Sequence, residues 1–178
     1  MPATDSAQAK QPRDNERADA HEDVMPRAPR ININPATGLA TDYLNHFNEA
    51  IMLLEMAGDC PECMDDFLAW TPMSYREHFA ASSLTDRQAA IAAYDGADAD
   101  VRRCLETLAG TMTAVLEATR AAMRSDLPPP AARQLSGRAA DWLKPLVARA
   151  GAVINGDAVS DDGHAELPQV TVDLLMRS

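Results

Sequence analysis

From Tyr43 onward, apolar residues recur at the spacing of one helix face: Tyr43, Leu44, Phe47, Ile51 and Leu54. Met52, Leu53 and Met56 widen this stripe, which predicts a well-buried helix. Gly58 supplies a stop. A turn-like lead-in, Asn34-Pro35-Ala36-Thr37-Gly38, comes before it, with Thr37 or Thr41 as its cap. A second stripe runs through Val101, Cys104, Leu105, Leu108, Met112, Val115, Leu116, Thr119 and Met123. It predicts a helix from Asp98 to Arg124, about 40 Å long at 1.5 Å per residue. Acidic residues crowd its start (Asp98, Asp100) and arginines its end (Arg120, Arg124), the polarity that suits the helix dipole. After the break at Pro128-Pro129-Pro130, a third stripe from Leu135 to Ile154 predicts a last helix over 131–154, which Pro145 should kink or split.

Shorter helices are marked by their starts. Asp59-x-x-Glu62 with Pro61 just inside, Ser74-x-x-Glu77 and Thr85-x-x-Gln88 read as capping boxes. They open helices reaching to about Trp70, Ser82 and Tyr94, and Pro72 closes the first of these. Residues 1–33 are polar and lack this periodicity, and beyond Gly156 the chain turns acidic and irregular, with Val170 to Met176 open as a short strand or a docking helix.

The expected fold is therefore all-α: an antiparallel helical bundle of about five to six helices with a disordered N-terminal tail. The expected organisation is a polar tail over 1–33, a helical domain over 34–155 and an acidic tail over 156–178. The long stripe of the Asp98–Arg124 helix suits either intramolecular packing or a homodimer seam. An aromatic content of 4% within 46% apolar residues supports helix packing over a β-sandwich.

The formal net charge of -11 disfavours nucleic acid and anionic membranes as partners. No apolar run approaches the roughly 18 residues needed to cross a bilayer. No apolar core of a secretory signal follows Met1, so the expected location is cytoplasmic. Three cysteines, an odd number, argue against a disulfide-stapled secreted scaffold. From Ile31 to Tyr75 there are seven acidic residues, Asp42, Glu49, Glu55, Asp59, Glu62, Asp65 and Asp66, and no basic one. Such a block is either a solvated surface or a docking face for a protein partner with a basic surface.

Cys60-Pro61-Glu62-Cys63 is the most specific local pattern. The pair reads as two ordinary thiols, as two thiolates that share a zinc ion, or as a redox disulfide, and the start of a helix lowers a thiol pKa. Zinc would need further ligands, for which His46, His78 and Cys104 are the candidates. A thioredoxin-type site would need a preceding strand, and a helix precedes it here. Asp42, His46 and Glu49 share one helix face, expected to lie opposite the apolar stripe; it is either a solvated polar face or a histidine between carboxylates that suits a metal or a general base. The lack of paired Glu-x-x-His motifs argues against a di-iron bundle. Met52, Met56, Met64 and Met73 around the cysteines would suit copper(I), though methionines one turn apart also serve as core filler. No phosphate-binding glycine loop and no nucleophile elbow is present.

Three functions remain open on these grounds. The first is a non-enzymatic helical interaction or regulatory protein whose acidic docking face comprises Asp42, Glu49, Glu55, Glu62, Asp65 and Asp66. The second is a zinc-binding or thiol-redox protein centred on Cys60 and Cys63, with His46 and His78 completing a metal site. The third is an enzyme using His46 or His78 as base.

Overall fold

The computed structural model describes residues 30–125 and 127–157. Most of both expected tails, and the Val170 to Met176 segment, lie outside the described residues. Within them a 3-10 turn, Thr41–Leu44, leads into six α-helices: α1 (Asn45–Met56), α2 (Pro61–Ala69), α3 (Tyr75–Ala81), α4 (Arg87–Gly96), α5 (Ala99–Met123) and α6 (Pro129–Asn155). The all-α bundle expected from the periodicity is what forms. The long helices α5 and α6 pack along one another, α1 lies against α6, and α2 against α1. Phe47, Leu54, Phe67, Phe79, Leu105, Met112, Leu116 and Leu143 are fully buried between them. The α5 stripe is thus covered mainly within the chain, leaving Val101, Leu108, Val115 and Met123 half-buried.

The caps follow local chemistry, with three departures. Ser74 and Glu77 form the expected box: Glu77 N–H donates to Ser74 Oγ at 3.3 Å and Ser74 N–H to Glu77 Oε2 at 2.8 Å. Asp98 Oδ1 caps α5 through the N–H groups of Asp100 and Val101. At α2 the cap is Cys60 rather than Asp59, its Sγ accepting the Cys63 N–H at 3.3 Å, because Pro61 takes the first helical position. At α4 the cap position falls to Asp86, one residue beyond the expected Thr85, without a side-chain capping bond. Neither Thr37 nor Thr41 caps the first turn. Instead Thr37 Oγ1 donates to the Ile154 carbonyl at 2.6 Å, tying the entry loop to the last turn of α6.

That loop is closed by an antiparallel bridge between Ile33 and Ala40. Its corner is Gly38 at φ +71°, where a Cβ would stand 2.9 Å from the Ala93 carbonyl oxygen, so both conformation and space call for glycine. α6 ends on Gly156 at φ +76°, with Asp157 N–H reaching the Ala152 carbonyl and Gly156 N–H that of Val153, a Schellman ending. Pro145 neither splits nor ends α6. Pro145 removes the helical donor of the Asp141 carbonyl, and both residues are exposed.

Two expectations for α1 are corrected. Met52 and Met56 are 50% and 47% exposed rather than buried, because α2 and α6 cover only the Phe47–Ile51–Leu54 side. His46, expected on the polar face, is 4% exposed, because Trp70 at the end of α2 folds over it.

Candidate interaction face and cysteine pair

The outer side of α1 presents Asn45, Glu49, Met52 and Met56, all exposed and one turn apart in succession. Glu55 stands beside them. Two methionines, the exposed large hydrophobic residues among the described ones, thus sit in a ridge flanked by carboxylates. α2 follows with Glu62, Asp65 and Asp66, also exposed.

Cations from α6 reach part of this block. Lys144 pairs with Glu55 at 2.6 Å, and Arg133 with Asp59 at 3.1 Å. The Glu55 contact is the main cause that raises the Lys144 pKa. Glu49, Glu62, Asp65 and Asp66 have no salt bridge among the described residues. Asp42, grouped with them by sequence, is half-buried and accepts the Asn32 N–H at 3.3 Å. The structure therefore keeps five of the six expected acidic positions on an open surface and turns Asp42 toward the entry loop.

Cys60 and Cys63 are joined as a disulfide with a Cα–Cα distance of 5.3 Å. The pair sits at the junction of the two acidic helices. Cys63 is buried against the core, Cys60 is half-buried, and Glu62 Oε2 lies 3.6 Å from Cys60 Sγ. Cys104 is a free, exposed thiol on α5.

His46 and His78 are brought side by side, ring centroids 6.1 Å apart. His46 also stacks on Trp70 at 4.6 Å and meets the edge of Phe47, and His78 meets Tyr43 and Phe79 edge-on. Burial lowers both pKa values. For His46 the neighbouring His78 adds to this, and for His78 contacts with Asp42 oppose it. Among the described residues His46 Nε2 has no hydrogen-bond partner. Among the described residues no group of three or more His, Cys, Asp and Glu side chains is gathered so as to hold a metal, so Cys60, Cys63, His46 and His78 do not form one cluster.

Sequence reasoning missed the exposure of the methionine ridge and the closure of Trp70 on His46. The only sequence signal for either was the surplus of apolar positions on α1, more than one face can bury. No described helix is long and apolar enough to cross a membrane. No family model, curated protein or solved structure matches the chain.

Proposed function

We propose that the chain is a non-enzymatic interaction protein that docks a basic, amphipathic segment of another protein across α1 and α2. The observation that carries this reading is the exposed Met52–Met56 ridge flanked by Glu49 and followed by Glu62, Asp65 and Asp66, which have no salt bridge among the described residues. Methionine adapts its shape to varied apolar side chains, and carboxylates around it complement lysine and arginine on the same segment. An amphipathic helix laid along α1 would place its apolar anchors on the methionines and its cations on the rim.

The test is binding of a synthetic Leu/Lys amphipathic helix, with a scrambled peptide of equal charge as control. The designed peptide should bind more tightly than the scramble. Met52→Ala with Met56→Ala should remove that difference, and added salt should weaken both peptides. Equal binding of the two peptides, or no effect of the methionine changes, would overturn the reading.

A second reading is favoured by the cysteine pair. In the cytoplasmic setting expected from the sequence most thiols are held reduced, so a Cys-x-x-Cys pair at bonding distance suits reversible exchange. A partner dithiol would reduce the bond, both its electrons passing to Cys60 and Cys63 as the partner becomes the disulfide. A redox titration against glutathione that returned a single two-electron transition, absent in Cys60→Ser, would support it. Failure of the pair to oxidise under any glutathione ratio would remove it.

A further inference from the structure

On the side of the bundle formed by α3, α4 and the middle of α5 there is an open groove of about 450 Å³. That volume lies in the range of small-molecule sites. None of the α1–α2 face residues lines it. Three phenol rings do, those of Tyr43, Tyr75 and Tyr94, all nearly buried. Two carboxylates join them, Glu77 and Glu106, and among the described residues no lysine, arginine or histidine does.

Both carboxylates are held by neutral groups. Glu77 Oε2 accepts from the Ser74 backbone N–H and from Ser74 Oγ, and Glu106 Oε1 accepts from the Tyr94 hydroxyl. Each therefore keeps a second oxygen, and neither is in a salt bridge among the described residues. Their fields converge: the Tyr43 hydroxyl is pushed up to about 12 by burial first, and then by Glu77 and Glu106 together. The nearby guanidinium groups of Arg76 and Arg102 lie over the Tyr94 ring at 5.9 and 5.8 Å, and Arg76 is committed to Asp95.

The floor of the groove is α5, and there the sequence departs from helix preference. Gly110 sits near the middle of a 25-residue helix. A Cβ at that position would meet no heavy atom within 4 Å, so no close packing calls for glycine. Its φ is not in the left-handed region either. What glycine does there, next to Ala109, is leave the groove open.

We propose that this groove binds a small organic cation, an ammonium or guanidinium on an apolar body. Glu77 and Glu106 meet the charge, and Leu105, Ala109 and Gly110 receive the apolar part. The chemistry is distinct from that of the α1–α2 face, since the ligand is a free small molecule and needs no partner protein.

The probes are phenethylamine and agmatine, with 2-phenylethanol as the neutral match, titrated into the full chain at low salt and followed by calorimetry. At least one amine should bind, and the alcohol at least about tenfold more weakly. Glu77→Gln with Glu106→Gln removes both charges while a Gln can still serve the Ser74 box and the Tyr94 hydroxyl. It should lower amine affinity by about tenfold or more. Gly110→Leu should abolish binding by filling the groove. Gly110→Ala, a better helix former, should fold at least as well as the natural chain and weaken binding less. Circular dichroism confirms that each variant is folded. Equal binding of amine and alcohol, no amine binding, or full affinity in folded Gly110→Leu would overturn the proposal.

Discussion

Trp70 and His46 hold each other twice. Their rings stack at 4.6 Å with an interplanar angle of 22°, and Trp70 Nε1–H donates to the His46 carbonyl at 3.3 Å. The end of α2 is thereby fastened to the start of α1, and a histidine is enclosed in neutral form beside His78. This arrangement makes folding sensitive to acid.

Both histidines have folded pKa values below the ordinary 6.5, burial being the larger cause in each. The unfolded chain therefore binds more protons below about pH 6.5, and stability falls as pH drops from there toward the folded values. Urea midpoints should be level above about pH 7 and decline through pH 6 and 5. In His46→Phe the decline should be shallower. A midpoint that rises on acidification over this window would contradict the buried, neutral state.

The Thr37 hydroxyl donates to Ile154 in a buried setting at 2.6 Å. Thr37→Val keeps the shape and leaves that carbonyl short of a donor. The expected loss is about 1–3 kcal/mol in denaturant unfolding. Thr41→Val, at a position without a capping role, should cost less.

Gly38 and Gly110 should respond to alanine in opposite ways. At Gly38 the new Cβ meets the Ala93 carbonyl at 2.9 Å in a backbone of φ +71°, which should cost about 1–3 kcal/mol. At Gly110 it meets open space in a helix, and a gain of about 0.5–1 kcal/mol is expected. Paired thermal melts compare the two.

Alkylation distinguishes the cysteines. Cys60 and Cys63 are bonded and Cys104 is exposed. Under native, non-reducing conditions iodoacetamide should modify Cys104 and spare the pair, and after reduction and unfolding all three should react. Rapid labelling of Cys60 without reductant would show the pair open.

How much of this was legible depended on the range of the physical cause. The stripes of α5 and α6 and the Ser74–Glu77 box rest on contacts within a few residues, and the chain declares them through spacing and residue type. The α2 cap slipped from Asp59 to Cys60 because a proline at the first helical position set the frame. Pro145 suggests a kink or split because its local cost is visible in sequence, whereas its exposure in a continuous helix is not.

By itself, then, the sequence determined that the chain folds as helices, where they start and stop within a few residues, and that the acidity concentrates on the first two. Only the tertiary structure decided which side of each helix meets water. An α1 apolar on more than one face can bury either side, and it is the placement of α2 and α6 that covers Phe47 and Leu54, encloses His46 under Trp70 and leaves Met52 and Met56 outside. The groove of Tyr43, Tyr94, Glu77 and Glu106 is likewise a product of packing, since its residues are drawn from the entry turn and three helices and share no sequence spacing. Helix formation is settled by neighbours along the chain, whereas burial and convergence depend on neighbours in space.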